Sequence, residues 1–438
     1  MAIKRQARIQ RHGPLGYLQS PNETKAKFIN VCCGDGIRQR SLDDGLTIFS
    51  NIVEKRMLEC ENSMADLLNM LWASHPELTS YLERQFLIST KIVRFIRSST
   101  EQPSIDDIVK LLYEHFNVSA ANMEEYEEEM RNLVFIVIGW STMLYTVIST
   151  AEGINLSDVT KLHLTHGLAK QTVILVQHSC QRPVGSMLRS QGLMPISCSP
   201  DSHKSPQGLP TRLTVPFLNF YSLSRLGNVT ITWVNDLSSH CDFDRYGKRK
   251  QLKLFRLPSL CAKIFLNEND DTYIDRLFKS HSCQENCWSN PESVAKPYLV
   301  EVLLSYRLLF GQHPLSRGLF LNQERKNAEW DDTLDPLLEA LCGHEHVSGF
   351  DGTEEYLHER GVYDADINFP HLGPRLMELA DYSSSQRPGN LFEVWCDQRD
   401  PEKLLTFKAV IIIGAASIAL SILQVLVGVV QIVISIHR

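Results

Sequence analysis

The sequence predicts a mainly α-helical fold with a small antiparallel β element and a single C-terminal transmembrane helix. Apolar residues recur at helical spacing through most of the chain, whereas two short segments alternate between apolar and polar residues. Residues 409–436 contain no charged side chain. Hydrophobic residues make up 43% of the chain, which is enough to give the remainder a large buried core. We therefore expect a globular helical body attached to a membrane.

Residues 1–40 are predicted to be a basic, irregular N-terminal segment. Every charged residue before the first acidic one, Glu23, is basic: Lys4, Arg5, Arg8 and Arg11. The segment lacks the apolar run that a secretory signal requires, so it gives no indication that the body is exported.

Residues 41–190 are predicted to form a helical block. Leu46–Trp72 carries apolar residues at helical spacing, and Pro76 is placed to open a second helix. Ser104 precedes an apolar run and two aspartates, which is typical of the N-cap of a third helix.

The long helix expected at Ala121–Thr150 has two interpretations in its second half. Asn132–Ala151 runs 20 residues without a charge, which is long enough for a second membrane span. Gly139 and Thr142 dilute this apolar run, and a helix buried in a protein core has the same pattern. The two interpretations predict different topologies.

Residues 191–210 are rich in Pro, Ser, Gly and His and are predicted to be a loop or linker. Residues 211–382 are expected to be a mixed block. Val229–Val234 and Gln251–Phe255 alternate as half-buried strands do, and we expect them to pair antiparallel because turn residues lie between them. Helical patterns then return at Asp271–Ser280, Pro297–Phe310 and Asp335–Cys342.

Residues 383–408 are predicted to be a flexible spacer and juxtamembrane segment that leads into a transmembrane helix at 409–436. A helix of that length is about 42 Å long, whereas the hydrocarbon core of a bilayer is about 30 Å thick. It can therefore cross the bilayer with room to tilt. Because only His437 and Arg438 follow it, we expect insertion after synthesis and a tail-anchored topology with a cytosolic body.

The predicted membrane helix carries its small and polar residues on a seven-residue repeat. We call this stripe the seam: Gly414, Ser417, Ser421, Gln424, Gly428, Gln431 and Ser435. Small residues allow two membrane helices to approach closely, and amides in hydrocarbon form hydrogen bonds across a helix pair. The seam therefore predicts self-association or pairing with another membrane helix, although Gly and Ser are common enough in membrane helices for the stripe to arise by chance.

The charge and the cysteine content of the chain indicate which class of partner is disfavoured and which cellular compartment is expected. A net charge of −7 with interspersed signs disfavours nucleic-acid binding, which requires a basic face. Eleven cysteines, an odd number scattered along the chain, indicate reduced thiols rather than a disulfide framework. Four glycosylation sequons would stay unmodified in the cytosol and so test topology: Asn22, Asn117, Asn155 and Asn228.

A structural zinc site is the sharpest chemical hypothesis that the sequence offers. Two short runs place thiolate and imidazole ligands within reach of one ion, and the candidate ligands are Cys283, Cys287, Cys342, His344 and His346. Their spacing matches no standard zinc finger or ribbon, and short Cys and His runs also arise by chance. No other cofactor is predicted.

No catalytic residue is predicted. Val31–Gly36 resembles the glycine loop of a methyl-donor-binding fold only superficially, because helices rather than alternating strands and helices follow it. Trp233, Trp330 and Trp395 could line a ligand pocket, although large aromatic residues more often pack in cores and interfaces.

Several segments spread over most of the chain share a specific order and spacing. They include Arg182-Pro183, Trp233-Val-Asn-Asp-Leu-Ser-Ser-His240, Leu254-Phe-Arg-Leu-Pro-Ser259, Phe369-Pro370 and Trp395-Cys-Asp-Gln-Arg-Asp-Pro401. This combination resembles a group of uncharacterised fungal proteins. The resemblance implies a largely helical cytosolic body on a C-terminal membrane helix, and it implies no activity. The chain departs from that group at Cys241, where an apolar residue is expected, and at Lys408, where a tryptophan is expected.

These observations favour a membrane-anchored, non-enzymatic interaction or scaffold protein of unknown pathway. Two alternatives remain from the sequence alone. One is an enzyme that acts at the cytosolic membrane face, and the other is a two-span sensor or transport protein that uses residues 132–151 as a second membrane helix. Membrane lipid is the expected partner in every case.

Overall fold

The computed structural model describes residues 21–34, 40–73, 80–147, 162–166, 169–173, 177–194, 212–267, 272–278, 295–350, 352, 357–397 and 399–437. The mainly α-helical class with a few short strands is confirmed. Most of the basic N-terminal segment and most of the 191–210 loop lie outside the described residues, as do Cys283, Cys287 and Asn155.

The first half of the described chain is helical from its start. In chain order its helices are α1 (Pro21–Cys33), α2 (Arg40–Glu59), α3 (Glu61–Leu71), α4 (Tyr81–Ser98), α5 (Ile105–Phe116), α6 (Ala120–Glu125), α7 (Glu127–Thr142), α8 (Gln177–Cys180) and α9 (Val184–Ser190).

The second half continues with shorter helices and ends on the longest one. These helices are α10 (Val215–Leu218), α11 (Phe220–Gly227), α12 (Pro258–Phe265), α13 (Tyr273–Phe278), α14 (Ala295–Tyr306), α15 (Pro314–Leu319), α16 (Arg325–Ala328), α17 (Pro336–Gly343), α18 (Ala365–Asn368), α19 (Gly373–Ser385), α20 (Leu391–Cys396) and α21 (Pro401–Ile436). A 3-10 turn at Leu237–Ser239 and π-helical turns at Arg307–Gly311 and Phe320–Glu324 interrupt the series.

The strands are short and form three small sheets. They are β1 (Thr146–Val147), β2 (Leu162–His166), β3 (Ala169–Val173), β4 (Arg212–Thr214), β5 (Val229–Val234), β6 (Phe243–Asp244), β7 (Lys250–Phe255) and β8 (Val362–Asp364). The spatial orders are β1-β2-β3, β4-β8 and β5-β7-β6, and every pair except β5 with β7 is antiparallel.

The expected antiparallel pairing of Val229–Val234 with Gln251–Phe255 is wrong, because β5 and β7 run parallel. The segment between them reverses direction twice. It first turns through the 3-10 helix and Cys241, which has a φ of 63°, and it then forms β6, which takes the antiparallel position beside β7. Two reversals return the chain to its original direction, so β7 must lie parallel to β5.

The two predicted blocks share one hydrophobic core. Buried residues from Phe28 to Tyr382 form a single cluster, and α2 of the first block packs on α12 and α17 of the second. The approach of α2 to α12 is close, since a Cβ added to Gly45 would lie 2.3 Å from the Ser259 Cβ. The boundary that the sequence suggests near residues 191–210 is therefore a connection within one core.

The Asn132–Ala151 segment is not one continuous helix. Helix α7 ends at Thr142, Met143 adopts a left-handed conformation with a φ of 52°, and the chain then enters β1. All residues of α7 from Asn132 to Thr142 are buried within the body. A run of 16 helical residues surrounded by protein fits the core-helix interpretation and is short for a membrane span.

The segment predicted as a flexible spacer is largely helical. Helix α19 runs on to Ser385, and the buried Tyr382 hydroxyl donates a 2.7 Å hydrogen bond to the Gly227 carbonyl oxygen. Helix α20 follows, and α21 begins at Pro401, eight residues before the predicted start of the membrane helix. The sequence does not predict this helical structure, because the contacts that stabilise it come from residues far away in the chain.

Candidate functional site: the membrane helix and its junction with the body

Helix α21 is the one helix of the described residues that is long and apolar enough to cross a membrane. The large aliphatic side chains between Val410 and Ile436 whose burial the structure describes are exposed, and none of the most apolar part of the helix is buried in the body. Water-exposed aliphatic surface of this extent is unfavourable at about 25 cal/mol per Å². The helix therefore has the properties expected of a single membrane span.

The seam residues all lie on α21, and all of them except the half-buried Gly428 are exposed. Gly414 and Gly428 have open space where a Cβ would stand. The small Ser417 and Ser421 leave a shallow groove on the helix surface between Ile418, Ile422, Val425 and Leu426. The Ser421 hydroxyl donates a 2.9 Å hydrogen bond to the Ser417 carbonyl oxygen, so this polar group is satisfied inside the helix.

The two glutamines of the seam differ from its serines. Both Gln424 and Gln431 are exposed on α21, and neither side chain has a hydrogen-bond partner among the described residues of the chain. An amide in hydrocarbon costs several kcal/mol unless it is hydrogen-bonded, roughly 4–8 kcal/mol on the most apolar reference scale. Their position on the same face as the two open glycines gives these amides a surface where another helix can approach.

Three side chains form the junction between α21 and the helix before it. The Trp395 ring packs edge-on against Phe407 with 6.4 Å between centroids, and the Lys408 Nζ lies 5.3 Å from the Trp395 ring centroid. Trp395 remains 43% exposed. Tryptophan and lysine are the residues that anchor membrane helices at the interface with water.

Arg399 joins this junction to the body. Its guanidinium donates hydrogen bonds to both carboxylate oxygens of Asp397, each at 2.8 Å, and a third to the Ser383 carbonyl oxygen at 2.6 Å. The guanidinium also lies 5.8 Å from the Phe217 ring centroid. Burial alone would raise the pKa of Asp397, but the hydrogen bonds and the charge of Arg399 outweigh burial and lower that pKa.

Local capping explains why α20 begins where it does. The Asn390 side-chain oxygen accepts a 2.8 Å hydrogen bond from the Glu393 amide, and the Glu393 carboxylate accepts one of 2.6 Å from the Gly389 amide. These reciprocal bonds satisfy amides that the first helical turn leaves free. The sequence does not predict how Arg399 joins the junction to the body, because its contacts with Ser383 and Phe217 link residues that are distant in the chain.

The structure does not bring the described zinc candidates together. Cys342 is fully buried in α17, whereas His344 and His346 are exposed. The Arg307 guanidinium donates to the carbonyl oxygens of Leu341 and His344, which places a cation beside the thiol. Burial raises the pKa of Cys342 well above its usual value although Arg307 lowers it, so the free thiol stays protonated.

Among the described residues no group of three or more His, Cys, Asp and Glu side chains could hold a metal ion. Cys283 and Cys287 lie outside those residues. A structural zinc that uses them stays a prediction of the sequence.

The Val31–Gly36 turn lacks the setting of a cofactor loop over its described part. Its first three residues, Val31–Cys33, are the end of helix α1 rather than of a strand. The Gly34 amide donates to the Asn30 carbonyl oxygen, and Gly34 has a φ of 80°. A glycine in this conformation terminates a helix. Gly34 therefore ends α1, and the Cys33 carbonyl oxygen accepts a hydrogen bond from the Asn267 side chain across the core.

A buried histidine and serine lie at hydrogen-bond distance but do not form a nucleophile with its base. His240 Nε2 is 2.7 Å from the Ser305 hydroxyl, and His240 Nδ1 accepts a 3.1 Å hydrogen bond from the Phe255 amide. Because Nδ1 is the acceptor, a neutral ring carries its proton on Nε2 and cannot take one from Ser305. Burial, with a smaller contribution from the nearby charge of Arg375, lowers the pKa of His240 to about 3, so the ring stays neutral.

The three tryptophans that could have lined one pocket occupy three different surroundings. Trp233 is buried and stacks on Phe310. The Lys55 ammonium and the Arg256 guanidinium each lie over the Trp330 ring, at 4.7 and 5.1 Å from its centroid. Trp395 belongs to the membrane junction.

Comparisons with protein-family models, curated proteins and solved structures gave no match.

Proposed function

We propose that this protein is a membrane-anchored, non-enzymatic interaction or scaffold protein whose helical body stays on the cytosolic side. The observation that carries the proposal is helix α21, which is exposed along its apolar length and has the size of a membrane span. A body held at a membrane meets partners there at a raised effective concentration, so that weak contacts suffice for binding.

The cysteines support a cytosolic body. Seven cysteines among the described residues are free thiols that are buried in the core. They are Cys32, Cys33, Cys60, Cys180, Cys241, Cys261 and Cys342. The adjacent pair Cys32 and Cys33 is also buried, and burial raises the pKa of both thiols. Buried, protonated thiols in a core without disulfides are typical of proteins that fold in a reducing compartment.

The seam supports pairing through the membrane helix. Its glycines have free space at Cβ, and its glutamines have no partner among the described residues. Two copies that met along the seam would bring the amides of Gln424 and Gln431 together away from lipid. A repeat of seven residues keeps one stripe in contact when helices cross at a small left-handed angle.

The first test measures membrane anchoring of the full chain. We expect the protein to float with phosphatidylcholine vesicles in a density gradient and to resist extraction at alkaline pH. The matched control replaces two aliphatic residues of the span with charge, Ile422→Lys with Leu423→Glu, and should sediment with the aqueous fraction. A full chain that stays in the aqueous fraction without detergent contradicts the proposal.

The second test measures pairing through the seam. Gly414→Leu, Ser421→Leu and Gly428→Leu, combined in the full chain, should reduce energy transfer between labelled copies in vesicles by at least about fivefold. The control places leucines on the opposite face, Ala416→Leu with Val430→Leu. Because a Cβ at Gly414 or Gly428 meets nothing within the chain, the variant does not disturb the single helix. Equal transfer in all three proteins would remove the seam from the proposal.

The third test assigns the side of the membrane. Asn117 and Asn228 are exposed and left-handed, at the ends of α5 and α11, so a glycosyltransferase that met the body could reach both sequons. We expect no glycan at either position in cells. A control variant that carries a sequon in a tail added after Arg438 should be modified. A glycan on Asn117 or Asn228 contradicts the cytosolic placement.

A further inference from the structure

We propose that helix α21 selects thick bilayers, rich in long acyl chains and sterol, over thin ones. The inference rests on the proposed membrane anchoring and adds the class of lipid surface that the anchor fits. Two observations carry it: the apolar length of α21 exceeds an ordinary hydrocarbon core, and the junction with the body restrains how far the helix can tilt.

The two ends of the apolar stretch are marked by polar side chains. At the body side Lys408 lies over the Trp395 ring, and this pair belongs at the boundary between lipid and water. At the other end the helix closes at Ile436, and the exposed His437 and then Arg438 follow. Between Lys408 and His437 the chain has no charged residue.

The distance between these ends is too long for an upright helix in an ordinary bilayer. At 1.5 Å per residue, Lys408 and His437 are separated by about 43.5 Å along the axis, against about 30 Å of hydrocarbon. An upright helix would leave about 13 Å of apolar surface, or roughly nine residues, among the headgroups. Tilting is the remaining way to bury it, and a 30 Å core requires a tilt of about 46°.

Bilayer thickness decides whether the required tilt is ordinary. Membrane helices tilt by about 20° on average and up to about 40°. In a thin bilayer of about 27 Å the required tilt rises to about 52°, whereas a thick bilayer of about 33 Å requires about 41°. Of these bilayers, the thick one alone brings the required tilt to the upper end of the usual range.

Neither a kink nor a loose hinge relieves the mismatch. Helix α21 is continuous from Pro401 to Ile436 and has no proline after its first residue. Its base is restrained by the contact between Trp395 and Phe407 and by the hydrogen bonds of Arg399 to Asp397 and Ser383. A steep tilt of the helix would therefore either break these contacts or press the body towards the headgroups.

The test compares vesicles of dimyristoleoyl-, dioleoyl- and dierucoyl-phosphatidylcholine, which differ in thickness alone. The full chain is added in detergent to an equal mixture of two vesicle types of different density, and its distribution is measured after detergent removal. We expect at least about fivefold more protein in the dierucoyl than in the dimyristoleoyl vesicles, since mismatch costs a fraction of a kcal/mol per Å.

Two variants identify the cause of the preference. Deletion of residues 421–427 removes one full repeat, keeps the register of the seam and shortens the helix by about 10 Å, so the preferred vesicle should become the dioleoyl one. Ile422→Val with Leu426→Val keeps the length and should retain the preference of the unaltered chain. An equal distribution of the full chain, or a preference that the deletion leaves unchanged, overturns the inference. Absence from all three vesicle types would instead contradict membrane anchoring itself.

Discussion

The Arg399 guanidinium donates a 2.6 Å hydrogen bond to the Ser383 carbonyl oxygen and thereby joins the base of the membrane helix to the last turn of α19. Helix α19 is itself held at both ends. The buried Glu301 carboxylate accepts the His371 and Leu372 amides at its start, and the Tyr382 hydroxyl bonds to Gly227 near its end. Through Arg399 the core of the body therefore restrains the anchor.

Replacing Arg399 should loosen the junction while leaving the core intact. Arg399→Ala removes three hydrogen bonds to a carboxylate and a carbonyl, and charged hydrogen bonds contribute about 1.5–3 kcal/mol each. We expect the amides of α20 to exchange with solvent at least about tenfold faster. Hydrogen exchange of the full chain in detergent micelles, read by mass spectrometry, measures this change.

The control for that prediction is Arg387→Ala, because Arg387 is exposed and lies between α19 and α20. Exchange in α20 should be the same in this variant as in the unaltered chain. If Arg399→Ala also left α20 unchanged, Arg399 would not restrain the junction.

Two glycines should respond to alanine in opposite directions. Gly45 lies in α2, where an added Cβ would stand 2.3 Å from the Ser259 Cβ, so Gly45→Ala should lower the free energy of unfolding by about 2–3 kcal/mol. Gly318 lies in α15 with nothing within 4 Å of an added Cβ, so Gly318→Ala should raise it by about 0.5–1 kcal/mol. Denaturant unfolding of the full chain in mild detergent compares them. A stabilising Gly45→Ala would mean that α2 and α12 do not pack this closely.

Sequence reasoning succeeded where the signal was local. The cap at Ser104 and the helix that follows depend on neighbouring residues alone, and the membrane helix is visible as a charge-free run. The expected Leu46–Trp72 helix is divided at Cys60 into α2 and α3. No glycine or proline lies at this break, so the sequence does not predict it.

Features that depend on contacts between distant residues could not be predicted from the sequence. The alternation in β5 and β7 predicts strands but does not contain their relative direction, which follows from the two reversals between them. The apolar run of α7 fits lipid and protein equally well, and only the surrounding elements show that protein covers it. The Ser383 partner of Arg399 is likewise invisible until α19 and α20 are placed together.

The cap of α5 should contribute measurably to stability. The Ser104 hydroxyl oxygen accepts a 3.1 Å hydrogen bond from the Asp107 amide, and the Asp107 carboxylate accepts a 2.9 Å bond from the Ser104 amide. Ser104→Ala should lower the free energy of unfolding by about 1–2 kcal/mol. Ser119→Ala is the matched control, because its 3.4 Å bond to the Asn122 amide is long and exposed. An equal loss of unfolding free energy in the two variants would show that the reciprocal cap at Ser104 stabilises the fold no more than the single bond at Ser119 does.

Asp335 combines a helix cap with complete burial. Its carboxylate accepts hydrogen bonds from the Leu337 and Leu338 amides at the start of α17, and from both the amide and the hydroxyl of Ser259 in α12. Burial raises the pKa of Asp335 to about 6, although each of these hydrogen bonds lowers it. The carboxyl therefore takes up a proton more readily in the folded chain than in the unfolded one.

This raised pKa fixes the sign of a pH dependence. Between pH 4 and pH 6 the folded chain binds the Asp335 proton more tightly than the unfolded chain, so the contribution to stability is complete below about pH 4 and is lost as the pH rises through about 6. The loss amounts to about 2–3 kcal/mol. Asp335→Asn does not titrate at this position. The unfolding free energy of the unaltered chain minus that of the variant should therefore fall by that amount from pH 4 to pH 6.5. Denaturant unfolding in micelles across this range measures the difference. A constant difference, or one that grows with pH, would show that the Asp335 pKa is not raised by burial.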